Sequence, residues 1–525
     1  MTPEPALVGY PPTFWSLVER RAAASADRTM VVDDRGRELT FGAYRRACEQ
    51  VAAGLAAQHG VRAGDVVSWQ LPTTIETLVL MGALARLGAV QNPIVPIQRE
   101  REVGFIADQV RPRLLVVPGT WRGFDHAAMA SAVSHDVGCD VLTLDHSGVA
   151  PLPTGGPDDL PPLPPPDPAA TRWLYHSSGT TADPKGVRHT DRSVMHGATG
   201  FVQVLGLGPS DVYPIAFPIA HIGGANALTA HLVTGARLAV CATFDPERSP
   251  GFMADVGATL LGSALPFFHA YLDAQRRAGD RRLFPALRAG INGGAPKPPG
   301  LHQEVKERLG GVGILGAWGL TEFPIATFGS PHDTDDQLSR TEGRPVPGVR
   351  LRVVDDDGRD VGPGEEGELL LAGPQLCAGY VDPALDHHAF DERGFLRTGD
   401  RGYVDPSGHV TVTGRSKDVV IRNAETLSSQ EIEHAVARHP DVAEVAVIGV
   451  PDPRTGERAC AVIVPVPGRP APTLADLGEH CRRLGLANQK VPERIELVDA
   501  LPRNALGKVL KRDLRARYLA REARR

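Results

Sequence analysis

Apolar and polar positions along the chain switch period repeatedly. Thr40 to Gln58 (TFGAYRRACEQVAAGLAAQ) sets its apolar residues on one side of a 3.6-residue repeat and predicts an amphipathic helix. Asp65 to Gln70 is a short apolar run that predicts a strand, and Thr74 to Leu87 returns to helical spacing. This alternation continues through most of the chain, as expected of α/β architecture with parallel strands.

The pattern breaks in three places. Between Pro151 and Pro168 nine of eighteen residues are Pro, which can continue neither a helix nor a central strand and reads as an extended connector. From Gly343 to Tyr403 and just beyond, short strands (VRLRVV, EGELLLAG, HVTVTG) alternate with glycine turns. Asp355-Asp356-Asp357-Gly358 lacks the alternating spacing of a calcium loop and reads as a β-turn. After Gly414 the texture becomes a compact α/β pattern, with a capping box Ser428-Ser429-Gln430-Glu431 and two alternating strands, VAEVAVIGV and RACAVIVPV.

Composition narrows the class. Apolar residues are 42% and charged residues 22% of 525, so a globular chain with a sizeable core is expected. The net charge of −6 supplies no basic excess for a nucleic-acid or anionic-lipid coat. Gly and Pro number 57 and 46, which disfavours an all-helical bundle. Six scattered cysteines without a C-x-x-C pair suit a reduced compartment and offer no zinc site. Met1 to Tyr10 has no signal-peptide pattern, and the weakly polar run Val256 to Leu272 is interrupted by Pro266 and His269, short of a membrane span. A cytoplasmic protein is expected. The nine basic and two acidic residues from Arg503 onward read mainly as a solvated helix face.

The candidate chemistry begins at Tyr175-His-Ser-Ser-Gly-Thr-Thr-Ala-Asp-Pro-Lys-Gly186, which packs four Ser/Thr hydroxyls, two glycines and a lysine into twelve residues. Hydroxyls and free backbone N–H groups on such a loop cradle phosphate oxygens, and Lys185 adds a mobile positive charge. No G-x-x-x-x-G-K-[ST] occurs, so the loop is not a Walker A element, and no G-x-S-x-G elbow suggests a serine hydrolase.

Further along the chain come Gly316-Ala-Trp-Gly-Leu-Thr-Glu322, Arg397-Thr-Gly-Asp400, Gly414-Arg415 and Asn504-Ala-Leu-Gly-Lys508. With the Ser177–Gly186 segment, these five ordered motifs resemble the adenylate-forming superfamily, in its acyl-CoA synthetase branch, from Thr40 to Lys511. The resemblance implies an α/β fold: residues 1–416 form a large N-terminal domain of stacked α/β subdomains plus a β-rich subdomain, and residues 417–525 a small mobile α/β domain hinged at Lys417. It also implies an ATP-dependent ligase that adenylates a carboxylic acid with release of pyrophosphate, then forms the acyl-CoA thioester.

The same resemblance implies roles. Ser177, Ser178, Gly179, Thr180, Thr181 and Lys185 would hold the β- and γ-phosphates of ATP. Glu322 would ligate Mg²⁺ and Thr321 contact the α-phosphate. Gly293, Gly294, Ala295 and Pro296 would border adenine and Trp318 stack on it, while Asp400, helped by Arg415, would accept hydrogen bonds from the ribose hydroxyls. Lys508 would bring positive charge to the adenylation transition state from the small domain. His221, in Phe217-Pro-Ile-Ala-His-Ile-Gly-Gly224, matches a position flanking and gating the acyl pocket, with Gly223 and Gly224 expected to leave open volume beside it. A ring-bearing or branched acid is expected to fit as well as a straight chain, and a homodimer is compatible with the branch.

Three positions depart from the pattern: Ala182, Asn423-Ala424 and Thr426 replace a frequent Gly, Gly-Gly and Asn. A methyl at Ala424 would narrow the channel for the CoA pantetheine, although Asp452-Pro-Arg-Thr-Gly-Glu457 looks like ordinary acyl-CoA synthetase sequence. The alternative outcome is an adenylate delivered elsewhere: to a carrier-protein thiol, to an amine, or formed from nitrite for diazotisation of an aromatic amine. A catalytically silent nucleotide-binding protein is disfavoured because Lys185, Glu322, Asp400 and Lys508 are all present.

Overall fold

The computed structural model describes residues 9–144, 152–177, 184–294, 297, 300–415, 419–502 and 509–522. The helices expected near the start form at Phe41–Gln58 and Ile75–Leu87. Each is started by a threonine: Thr40 accepts from the Ala43 N–H and Thr74 from the Thr77 N–H. These bonds satisfy donors that a helix N-terminus otherwise leaves open.

Five sheets of four to six strands carry the molecule. In the first, Val212–Ile215, Arg237–Val240, Thr29–Asp33 and Glu38–Thr40 lie side by side. The six-stranded sheet runs Lys185–Thr190, Thr171–Ser177, Val90–Pro93, Val66–Trp69, Leu114–Pro118 and Asp140–Leu144. Its inner strands are parallel, and Leu114–Pro118 is buried along its whole length, as a strand covered on both faces must be. Helices Phe41–Gln58, Ile75–Leu87 and Ile222–Thr234 share one hydrophobic core with residues of these two sheets.

A five-stranded sheet follows, Leu260–Ser263, Ala289–Gly293, Ile314–Leu320, Phe323–Phe328 and Arg344–Pro345; then a four-stranded antiparallel sheet, Arg350–Val354, Gly367–Ala372, Leu396–Val404 and Val410–Arg415. The aspartate run is the expected turn: Asp355 Oδ1 accepts from the N–H groups of Asp357 and Arg359, and Gly358 takes φ +79°.

The Pro-rich segment is a strap across the first helix pair. A Cβ on Gly54, in mid-helix, would lie 2.4 Å from the Pro153 carbonyl, so glycine is required for the close approach. Gln58 and Arg86 hold the strap by its Thr154 and Pro161 carbonyls. Among the described residues no helix is long and apolar enough to cross a membrane.

The small C-terminal domain is built on a sheet ordered Glu425–Ser428, Val419–Arg422, Gly456–Pro465 and Val442–Asp452, with Arg494–Leu497 added to Gly456–Pro465. Alternate residues of its central strands enter two separate cores. Val447, Ala461 and Ile463 pack with Ile432 and Val436 of the helix Ser429–Val436. Ile448, Cys460 and Val462 pack with Leu501, Val509, Leu514 and Tyr518, the last two from the helix Lys511–Glu522. The expected capping box is modified: Ser428 Oγ accepts from the Glu431 N–H, but the Glu431 carboxylate is engaged by Lys490 at 2.9 Å.

Candidate active site

Strands Thr171–Ser177 and Lys185–Thr190 pair antiparallel with Ser177 opposite Lys185, so the ends of the hydroxyl-rich loop are held side by side. Ser178, Gly179, Thr180 and Thr181 lie outside the described residues. The free edge of Lys185–Thr190 takes up the chain at 378–381: Val381 N–H donates to the Gly186 carbonyl (2.7 Å) and Arg188 N–H to the Gly379 carbonyl (2.9 Å).

That pairing delivers Tyr380. Its hydroxyl donates to Glu322 Oε1 at 2.7 Å, and Ser177 Oγ reaches the same oxygen at 3.4 Å. The Lys185 ammonium stands 5.9 Å from the centre of the Tyr380 ring, within cation–π range. Burial, and then the neighbouring carboxylate, push the Tyr380 phenol well above its ordinary range, so it remains a donor. Ser177 and Lys185, at the two ends of one loop, therefore share one small region with Glu322, 145 residues beyond Ser177.

Thr321 is fixed from behind. His189 Nε2 bonds to the Thr321 carbonyl at 2.8 Å, while its Nδ1 faces Ser193 Oγ at 2.9 Å. Burial lowers the His189 pKa to about 4, so the ring is neutral, with the proton assigned to Nε2 by its carbonyl partner. Sequence reasoning missed both Tyr380 and His189. The only local signal for Tyr380 is the preceding Gly379 at φ +98°, where the chain turns to meet the strand edge.

Trp318 and Glu322 belong to one hairpin, Ile314–Leu320 and Phe323–Phe328. The Trp318 indole N–H donates to Asp400 Oδ2 at 2.9 Å. Asp400 lies at the strand position opposite Arg415 and is 1% exposed; its own N–H is held by Thr398 Oγ1. Gly293 ends the parallel strand beside Ile314–Leu320, where a Cβ would come within 3.3 Å of the Ala317 carbonyl. The carboxyl ends of neighbouring parallel strands are where open α/β sheets bind ligands. Ala295, Pro296 and the side chain of Arg415 lie outside the described residues. Lys297, next to them, is anchored inward, its ammonium 2.8 Å from the Thr341 carbonyl and 3.3 Å from Glu342. A Cβ at Gly316 would lie 2.5 Å from that ammonium.

A third group joins the two domains. His221 Nε2 meets Glu425 Oε1 at 2.9 Å, and a Cβ on Gly294 would lie 2.7 Å from the Ala424 methyl. Asn423 and Ala424 form the tip of a hairpin at φ +51° and +65°, a region where a glycine would be unstrained. Burial alone would lower the His221 pKa, but the charge and hydrogen bond of Glu425 outweigh it and raise it. Burial would raise Glu425, yet His221 and Lys490 hold it below the usual carboxylate range. Beside His221, Gly224 is closely packed, with the Ile219 carbonyl 2.2 Å from where a Cβ would stand, whereas a Cβ on Gly223 would meet the Phe217 ring only at 3.6 Å, an ordinary contact. Lys508 and Lys417 lie outside the described residues.

The Glu322 carboxylate, 8% exposed, is the donor type Mg²⁺ takes when phosphates and waters supply its remaining ligands. Among the described residues there is no group of three or more His, Cys, Asp or Glu that could cage a metal ion. Glu322 therefore fits an Mg²⁺ ion that would take its other ligands from phosphate and water.

A serine hydroxyl, a lysine and a carboxylate meet at one strand edge, and the indole of the adjoining hairpin holds the Asp400 carboxylate of the next sheet, an arrangement suited to a nucleotide-using α/β enzyme. The profile of the AMP-binding enzyme family matches residues 18–381, and that of the AMP-binding enzyme C-terminal domain residues 431–508. The chain belongs to this adenylate-forming family and is an ATP-dependent adenylate-forming ligase. It is 33% identical to a sulfoacetate–CoA ligase of Cupriavidus necator, covering 95% of this chain and 96% of that one. It is 29% identical to the medium-chain fatty-acid–CoA ligase of Escherichia coli, over 97% and 90% respectively. Among solved structures it resembles the amide bond synthetase McbA of Marinactinospora thermotolerans, with TM-score 0.83, 26% identity, and coverage of 95% of this chain and 99% of that chain.

Proposed function

We propose that this ligase makes an acyl-CoA in two steps on one surface. A carboxylate oxygen attacks the α-phosphorus of ATP and pyrophosphate leaves; the CoA sulfur then attacks the acyl carbon, and AMP leaves with the bonding electrons. Ser177, Ser178, Gly179, Thr180, Thr181 and Lys185 hold the outer phosphates, and Thr321, positioned by His189, meets the α-phosphate. Glu322 would hold Mg²⁺, whose charge would offset that of the phosphates. Gly293, Gly294, Ala295, Pro296 and Trp318 border adenine, and Asp400 with Arg415 orients the ribose. Lys508 supplies positive charge to the first transition state.

The observation that carries the reading is the 2.9 Å contact of His221 with Glu425. The small domain meets the large one with its 423–425 hairpin and the face bearing the helix Ser429–Val436, whereas Leu501 and Val509, on either side of the Lys508 segment, pack on the opposite face of its sheet. We read this as one of two working orientations about a hinge at Lys417, the other serving adenylation with Lys508. That is the requirement of two half-reactions. The nearly full-length similarity to two CoA ligases supports CoA as acceptor.

A second reading, an adenylate delivered to an amine or a carrier thiol, is favoured by Ala424, whose methyl occupies the seam against Gly294. Mass spectrometry after incubation with ATP, Mg²⁺, an acid library and either CoA or an amine library separates the two. Acyl-CoA is the expected product. Amide, or adenylate alone in the presence of CoA, would overturn the first reading.

A further inference from the structure

The domain seam carries a buried ion cluster that the proposed reaction does not use. Lys490 Nζ lies 2.9 Å from Glu102 Oε1 of the large domain and 2.9 Å from Glu431 Oε1 of the small one. The three residues are 8%, 3% and 4% exposed. Arg101, at 3.4 Å from Glu431, makes the set two cations and two anions. Each acid stands in the first turn of a helix, Glu100–Val110 or Ser429–Val436, so two helix N-termini face one ammonium across the seam. The second oxygen of Glu102 is tied to the Arg99 N–H at 3.1 Å, which fixes its direction.

We infer that Lys490 is a positioning residue for the acyl-transfer step, seating the 423–425 hairpin against His221 through Glu102 and Glu431. Glu431 follows directly from the strand Glu425–Ser428, so fixing the helix N-terminus fixes how far Glu425 reaches. The cluster also suits a contact that must form and break. Burying these charges costs nearly as much as their attraction returns, so the net gain is small, yet removing one partner leaves another buried without compensation. When the domains part, every member regains water. Docking by such a cluster is selective for one orientation without being irreversible.

The inference rests on the two-step reading for its kinetic consequence, but the seating itself is measurable without any acid or acceptor. Hydrogen–deuterium exchange of the 422–428 amides in the nucleotide-free enzyme reads it directly. Lys490→Met is expected to raise exchange there at least tenfold. It should slow transfer from supplied acyl-AMP by a similar factor and leave acid-dependent ATP–pyrophosphate exchange within twofold. Lys490→Arg keeps a cation between Glu102 and Glu431 and should retain most hairpin protection and transfer, while Lys490→Gln should not. Unchanged protection in Lys490→Met, a loss in Lys490→Arg as large as in Lys490→Met while pyrophosphate exchange persists, or equal loss of both half-reactions would overturn the assignment. Altered protection with no acyl-CoA from the parent enzyme would uphold the seating and discard the CoA reading instead.

Discussion

Trp318 donates its indole N–H to the carboxylate of Asp400, a residue almost wholly buried, 2.9 Å away, so the residues proposed to face the base and the ribose are one unit. An ionised carboxylate has about four lone-pair positions, and one indole bond leaves acceptor capacity for ribose hydroxyls. Trp318→Phe removes the donor that orients Asp400 and should raise the KM for ATP roughly tenfold with kcat little changed, as expected for a lost bond to a charged group of about 1.5 kcal/mol. Asp400→Asn should also erode discrimination against 2′-deoxy-ATP. Pyrophosphate release at varied nucleotide checks both, and an unaltered preference for the ribonucleotide would remove Asp400 from the ribose.

Tyr380 and Ser177 share Glu322 Oε1, with the tyrosine bond the shorter at 2.7 Å against 3.4 Å. Tyr380→Phe therefore leaves the carboxylate without its nearer donor and Lys185 with its ring. The expected result is a weaker apparent affinity for Mg²⁺, roughly tenfold, partly recovered at high Mg²⁺. Titration of adenylation rate with MgCl₂ measures it. A loss that Mg²⁺ does not recover would mean that the tyrosine acts on something other than the metal-facing carboxylate.

Lys508 is proposed to serve the first half-reaction, and the His221–Glu425 contact the docked arrangement of the second. Lys508→Ala should lower adenylation by about 10²- to 10³-fold while sparing transfer from supplied acyl-AMP. Single-turnover assays of the separate steps decide this, with equal losses counting against a division of labour.

The parts of this molecule legible in its sequence are those determined over short stretches. Phe41–Gln58 and Ile75–Leu87 carry their own periodicity and their own threonine caps. The Ser177 to Lys185 hydroxyl run and the Trp318 to Glu322 segment declare their chemistry by residue type. What stayed hidden depends on tertiary approach: Tyr380 and Glu322 are 58 residues apart, His221 and Glu425 204, and Glu102 and Lys490 388. Glu431 looks like a capping-box acid in sequence because nothing local discloses the lysine that takes its carboxylate.

The His221–Glu425 pair also predicts how docking responds to pH. Glu425 lifts the His221 pKa above 6.5, and His221 with Lys490 depresses that of Glu425 below 4.5. A raised histidine contributes fully below pH 6.5 and loses its contribution as pH climbs through the raised value. A depressed carboxylate contributes above pH 4.5 and loses its share as pH falls through the lowered value. The pair therefore favours the docked arrangement most between about pH 4.5 and 6.5, and its support fades on the alkaline side first. Protection of the 422–428 amides, normalised for intrinsic exchange, should decline as pH rises above 6.5, and His221→Gln should abolish that dependence while Lys490→Met lowers protection at every pH. A pH profile identical in the parent and His221→Gln would show that the imidazole charge takes no part in holding the hairpin.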